Sequence, residues 1–174
     1  APIVYYGDEI GMGDHIALRD RNGVRTPMQW HSGHNAGFSD VAPAQLYAPV
    51  IDVETFGFPS VTVTDPANYA GSLLNTMRHM IRTRKESPVF SRGTLEFFEP
   101  ADTTILAYIR RYEDFIVLAV HNLSGEERSE ALNLFEFAGS TTRDLLSGAC
   151  FPLFGHDPYQ VTLPPYGYLW LEIT

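Results

Sequence analysis

The sequence predicts an α+β chain, mainly β, and three observations predict it. The first thirty residues hold one short apolar run followed by a long charged loop. One strongly amphipathic helical segment lies between residues 72 and 86. After Pro88 the texture changes to short apolar segments separated by turn signals, the pattern of an antiparallel sandwich.

Pro2-Ile3-Val4-Tyr5-Tyr6 is β-branched and aromatic, which suits a strand buried on both faces of a parallel sheet. Gly7-Asp8-Glu9 ends it and sets two adjacent carboxylates just beyond the last apolar position. Groups at the carboxyl ends of parallel barrel strands line active sites. Gly11 and Gly13 then break the chain before Arg19-Asp20-Arg21-Asn22-Gly23-Val24-Arg25-Thr26-Pro27-Met28-Gln29-Trp30. That loop places guanidiniums beside carboxylates, a fork suited to hydroxyl-rich or anionic ligands. From His31 to Thr64 glycine and proline recur too often for a long element, so an irregular connection is expected. A loop of that length is unusual in a compact domain unless it serves function.

Asp65-Pro66 offers a helix start, but Gly71 weakens it and moves the expected beginning toward Ser72. Leu73, Leu74, Met77, Met80 and Ile81 then recur at helical spacing, with Arg84 and Lys85 in the last turn. Ser87-Pro88 stops the helix. Seven strands are expected beyond it, at 94–98, 104–111, 115–123, 130–135, 141–146, 160–163 and 166–173. Glu113-Asp114 is short enough to join the second and third as a hairpin. The expected domains are 1–88 and 89–174, with the linker at Glu86 to Gly93.

Composition excludes several classes of function. A hydrophobic fraction of 44% is that of a folded protein and not of a disordered tail. The formal charge of −9 is concentrated in the second half, where no Lys/Arg cluster would receive nucleic acid or an anionic membrane. No apolar run approaches the ~20 residues of a spanning helix. Cys150 is the single cysteine, so an internal disulfide is impossible and a cytoplasmic setting is expected. With Ala149, Phe151 and Pro152 around it and no base nearby in sequence, it reads as a small structural hydrophobe. His31 and His34 flank Ser32-Gly33 without the companions a metal site needs, so neither metal nor cofactor is expected. His15 lies near the same loop, and His121 reads as a structural residue in an apolar strand. Asn122-Leu123-Ser124 is formally an Asn-x-Ser sequon, of no expected consequence in a cytoplasmic chain.

Three linked motifs carry a resemblance. Tyr5-Tyr6-Gly7-Asp8-Glu9-Ile10-Gly11-Met12, then Asp20 to Trp30, then Asn35-Ala36-Gly37-Phe38-Ser39 together resemble the α-amylase superfamily, glycoside hydrolase family 13. Within it the likeness is to the trehalose synthases, which isomerise maltose to trehalose by retaining glucosyl transfer; α-glucosidases and oligo-1,6-glucosidases are the near alternative. The resemblance implies that Pro2–Tyr6 and the helix are the last β-strand and helix of a (β/α)8 barrel, followed by an antiparallel β-sandwich C-terminal domain. It also implies that the catalytic carboxylates lie on earlier strands, so that this piece contributes substrate-rim residues and no catalytic ones, and is inactive alone. Its expected partners are a small saccharide such as maltose or trehalose, the missing N-terminal barrel portion, and a second copy through the exposed barrel edge.

From residue types alone, Glu9, Arg21 and Arg25 could equally form a salt-bridge network that shapes the loop. The resemblance gives them substrate-binding roles: Arg21 at the glucose-holding subsite, Arg25 and Glu9 beside the neighbouring acceptor subsite. Asp8 and Asp20 read as loop-shaping partners, and Trp30 as a buried anchor or, less favoured, a stacking face. A non-enzymatic sugar-binding module would need a coplanar aromatic row; Tyr166, Tyr168 and Trp170 alternate in a way that permits one but suits a core face just as well.

Overall fold

The computed structural model describes residues 2–53, 55–64, 69–152, 155 and 157–174. These divide into two compact units, residues 1–79 and 80–174.

The first unit is loop-rich because its backbone is consumed by short turns. Asp8–Ile10, Asp20–Arg25, His34–Gly37 and Pro43–Gln45 are 3-10 turns. Residues 2–6 pair with no strand among the described residues, and Ile3 is 95% exposed. A strand needs a neighbour to receive its N–H and C=O groups, and no other described segment offers one here. The helix α1 spans Leu73–Glu86, its residues to His79 counted in this unit and the rest in the second. Ser72 begins it: its hydroxyl accepts the Asn75 N–H at 3.3 Å and its carbonyl the Thr76 N–H at 2.8 Å. The alternative start at Asp65-Pro66 lies outside the described residues. Of the expected apolar stripe, Leu74 is buried with Ile10 and Met28, beside Met12, Val61 and Val63. Leu73 and Ile81 remain exposed.

The second unit is an unequal antiparallel sandwich. Its strands are β1 (Thr94–Phe97), β2 (Ile105–Tyr112), β3 (Phe115–Asn122), β4 (Arg128–Leu132), β5 (Thr142–Asp144), β6 (Cys150–Phe151), β7 (Tyr159–Leu163) and β8 (Tyr168–Ile173). Six form one sheet in the order β1-β2-β3-β8-β5-β6, and β4 and β7 form the other. Glu113-Asp114 makes the expected tight hairpin, with Tyr112 paired to Phe115. The inner faces meet through Ile105, Ala107, Ile109, Leu118 and Val120 on one side and Leu132, Val161 and Leu163 on the other. The opposite face of the large sheet is covered as well. The short helix α2 (Val89–Arg92) lays Val89 and Phe90 on Val117, Ala119 and Trp170. The central strand β3 is therefore buried on both sides from Val117 to Val120, which explains its continuous apolar run.

One expectation needs correction here, and the structure bears on two further readings. Cys150 is exposed on the two-residue strand β6, not buried, because β6 is the sheet edge. Tyr166, Tyr168 and Trp170 make no row: Tyr166 sits in a turn at φ 55°, and Trp170 packs against Phe90 with ring centroids 4.8 Å apart. Asn122 is no open sequon. It is 2% exposed, and its Nδ2 donates to the carbonyls of Glu126, Pro164 and Leu163.

Candidate functional site

The site is assembled in the first unit, beginning at Gly7. Its φ of 94° lies in the left-handed region, where a side chain would be strained and a Cβ would press on Met12. The chain therefore reverses at once after Tyr6, and the next two carboxylates are drawn into the turn. The Asp8 carboxylate accepts the Tyr5 N–H at 2.9 Å, and the Glu9 carboxylate accepts the Gly7 N–H at 2.8 Å. Asp8 is the loop-shaping residue expected of it, and Glu9 shapes the same turn through one of its two oxygens.

The charged loop forms the next wall. Asp20 opens its 3-10 turn at φ 56°, and Gly23 lies so close to Asp14 and the His15 carbonyl that no Cβ fits. The Arg21 side chain is 68% exposed, 3.9 Å from the equally open Asp20 carboxylate. A pair this solvated is worth only ~0–1 kcal/mol, so Arg21 is held loosely. Arg25 instead lines a cleft of about 390 Å³, together with Leu18, Asn22, Tyr47, Ala48 and Pro49. Arg21 and Glu9 are not among its walls.

Beyond Arg25 the chain turns inward. Thr26, Pro27, Met28 and Gln29 are buried in succession. Gln29 is fully buried, and its Nε2 donates to the Val61 carbonyl at 2.6 Å and the Phe56 carbonyl at 3.3 Å. Its own main-chain carbonyl accepts the Val63 N–H at 3.0 Å. Gln29 is thus the buried anchor of this loop, whereas Trp30, expected in that role, is 47% exposed. The reason is chemical: the side-chain amide carries two N–H donors and satisfies two backbone carbonyls, where an indole has a single N–H to give.

His31 and His34 are spent locally. The His31 Nδ1 accepts the Gly33 N–H at 3.0 Å, and the His34 Nε2 lies 3.0 Å from the Val41 carbonyl. Asn35, buried at φ 47°, donates to the Ser39 and Val41 carbonyls at 2.8 and 2.6 Å and closes the loop on itself.

Two tyrosine hydroxyls meet the charged loop from different parts of the chain. Tyr6 Oη donates to the Thr26 carbonyl at 2.8 Å, and Tyr47 Oη donates to the Arg25 carbonyl at 2.6 Å. Partial desolvation raises the Tyr6 phenol above its ordinary range, and the neighbouring Tyr47 and Tyr5 hydroxyls push it further the same way. The Tyr6 phenol is therefore a neutral donor at any physiological pH. Tyr47 is held in turn by an edge contact with Phe38 at 5.8 Å. Nothing in the spacing of residues 31–64 singles out Tyr47; only the folded chain brings it to Arg25.

Chemically, the arrangement offers one guanidinium-bearing wall, one phenol and an asparagine around an open, sugar-sized cleft. Such groups orient hydroxyls; none is a buried acid–base pair.

Comparisons with known proteins agree on the lineage. The alpha amylase catalytic domain matches residues 1–93, and the maltogenic amylase C-terminal domain matches residues 95–170. The chain is 39% identical over its whole length to a trehalose synthase of Pimelobacter sp. (strain R48), covering 31% of that protein. It is likewise 39% identical to a trehalose synthase/amylase of Mycobacterium tuberculosis, with all of this chain and 30% of that one aligned. The chain thus spans about a third of the length of these relatives. The crystal structure of a Bacillus licheniformis trehalose-6-phosphate hydrolase superposes on 98% of the chain and 35% of its own, with a TM-score of 0.79 and 21% identity, a likeness of fold. The chain accordingly belongs to the α-amylase superfamily, glycoside hydrolase family 13, and carries the end of the amylase barrel domain followed by an antiparallel C-terminal β domain.

Proposed function

We propose that this chain is the carboxyl-terminal portion of a trehalose synthase-like enzyme that isomerises maltose to trehalose. The carrying observation is the 39% identity, sustained over the whole chain, to proteins named trehalose synthase. The chemistry is a retaining glucosyl transfer: a carboxylate nucleophile and an acid/base residue ~5 Å apart cleave the α-1,4 bond through a glycosyl-enzyme intermediate. The freed glucose must then stay bound, turn, and attack through its anomeric hydroxyl in place of water. A rim that closes over the sugar serves that retention.

In this reading Arg21, Arg25 and Glu9 bind substrate. The Arg25 wall of the cleft supports its part. The freedom of the Arg21 side chain suits a group that becomes ordered on a sugar hydroxyl. The second oxygen of Glu9 is left to accept from a ligand. The piece alone is inactive, since it supplies rim and sandwich while the bond-breaking carboxylates belong to earlier strands. The exposed Ile3, Val4, Tyr5 and Tyr6, with Leu73 and Ile81, support the missing barrel portion as a partner, or a second copy in its absence. A cytoplasmic location goes with the lone cysteine.

The name trehalose synthase/amylase borne by one relative favours a second reading, in which hydrolysis accompanies or replaces isomerisation. The full-length protein incubated with maltose separates them. Trehalose as the main product supports isomerisation; glucose alone assigns an α-glucosidase.

A further inference from the structure

We propose that Tyr6 and Tyr47 are positioning residues that latch Arg25 in place, and that the long loop carrying Tyr47 therefore controls substrate affinity through Arg25. This rests on the reading of Arg25 as a substrate-binding group, and adds to it the device that holds the group still.

The two tyrosines grip consecutive carbonyls. Tyr47 takes that of Arg25 at 2.6 Å and Tyr6 that of Thr26 at 2.8 Å. One comes from the segment just before Gly7 and the other from the loop beyond residue 40, so the peptide between them is strapped from both sides. Downstream, Thr26 to Gln29 is buried and pinned by the Gln29 side chain. Upstream, Val24, Asn22 and Arg21 are exposed, and only Gly23 between them is buried, against Asp14 and His15. Val24 and Arg25 are therefore an exposed pair between buried Gly23 and the rigid segment, and the two straps are what hold the main chain at the end of that pair.

Tyr47 reaches the Arg25 carbonyl from 22 positions away, so this bond ties the end of the turn to a distant part of the chain. Arg25 and Tyr47 also line the same cleft, so the latch stands where a sugar would sit. An arginine whose backbone is fixed loses less freedom on gripping a ligand, and that saving appears as affinity. Tyr47 itself rests on Phe38. The loop from Phe38 to Pro49 is thereby coupled to the arginine without its backbone having to touch the sugar.

The test uses the full-length enzyme and the variants Tyr47→Phe and Tyr6→Phe, which keep the ring and remove only the hydroxyl. Maltose consumption is followed regardless of product, so an enzyme that hydrolyses serves as well as one that isomerises. Tyr47→Phe is expected to raise KM about fivefold, the equivalent of one lost hydrogen bond, with kcat within about twofold. In an Arg25→Ala background the same change is expected to have no further effect, because Tyr47 acts through Arg25. An unchanged KM, or an effect that adds in full to Arg25→Ala, overturns the proposal.

A second readout does not depend on turnover. Trypsin cleavage after Arg21 and Arg25, in the turn that the latch closes, is expected to quicken about fivefold in either phenylalanine variant, cleavage outside residues 19–25 being unchanged. Equal rates in wild type and variants refute the latch even if maltose proves not to be the substrate.

Discussion

Replacing Asn122 by alanine should unseat one whole end of the sandwich. Its Nδ2 faces the carbonyls of Glu126 at 2.7 Å, Pro164 at 2.9 Å and Leu163 at 3.3 Å. Its Oδ1 accepts both the N–H and the hydroxyl of Ser124, at 2.9 and 2.8 Å. One side chain thus ties the β3–β4 connection to the turn that joins β7 and β8. Water can replace it at Ser124 and Glu126, which lie toward the surface, at a loss of about 0.5 kcal/mol each. It cannot readily replace it at Leu163, which is buried. A buried carbonyl left without a donor costs ~1–3 kcal/mol, so the total is about 2–4 kcal/mol. With a urea m-value of ~2 kcal/mol/M, the unfolding midpoint should fall by about 1–2 M. Asn122→Asp should be worse at neutral pH, since it turns a carboxylate toward three carbonyl oxygens. Urea titrations with tryptophan fluorescence as the signal measure both. A midpoint shift for Asn122→Ala under about 0.3 M at unchanged slope would refute the reasoning.

Further outcomes can be checked together. Cys150 should react with an aromatic disulfide reagent within minutes under native conditions, because it is exposed on the sheet edge; reaction only after denaturation would contradict its placement. Burial lowers the His121 pKa below its ordinary value, between the rings of Tyr108 and Tyr168 at centroid distances of 6.0 and 6.3 Å. The unfolded chain then binds more protons, so stability should fall as pH drops from about 7.5 through 6.5, and His121→Phe should flatten that part of the profile. Asp102 is lowered mainly by the hydroxyl and N–H of Thr104, with Arg128 a lesser cause. Its contribution is present above the ordinary carboxylate range and lost in more acidic solution, so Thr104→Val should reduce the difference in stability between pH 6 and pH 3. Arg25→Ala in the full-length enzyme should lower kcat/KM on maltose roughly tenfold or more, the worth of a hydrogen bond from a charged group; an unchanged value would remove Arg25 from the site.

The sandwich was legible because its strands are separated by polar turns and alternate or run continuously according to which faces are covered. Ile116 to Val120 reads as an unbroken apolar run because α2 shields one side of β3 and the β4–β7 sheet the other. β6 was not legible, since two residues with an exposed cysteine carry no periodicity. Pro2–Tyr6 carries a strand-like sequence, yet strand structure requires partners that are not supplied by the residues described. In the candidate site the motif residues Glu9, Arg21 and Arg25 could be picked out by type and spacing. Tyr47 could not: it meets Arg25 across 22 positions of irregular chain, through a hydroxyl and a carbonyl that no pattern announces. Choosing between Gln29 and Trp30 as anchor likewise depended on backbone partners at Phe56, Val61 and Val63 that only the folded loop brings together.

The strand order has a consequence for how the second unit is made. β8 follows the other seven described strands in sequence, yet it sits mid-sheet, between β3 and β5. Until Tyr168–Ile173 arrive, the β2–β3 hairpin presents an open apolar edge with nothing on which to close, and β5 and β6 have no sheet to join. A nascent chain stalled before residue 168 should therefore be the species that seeks chaperones or pairs with its own kind.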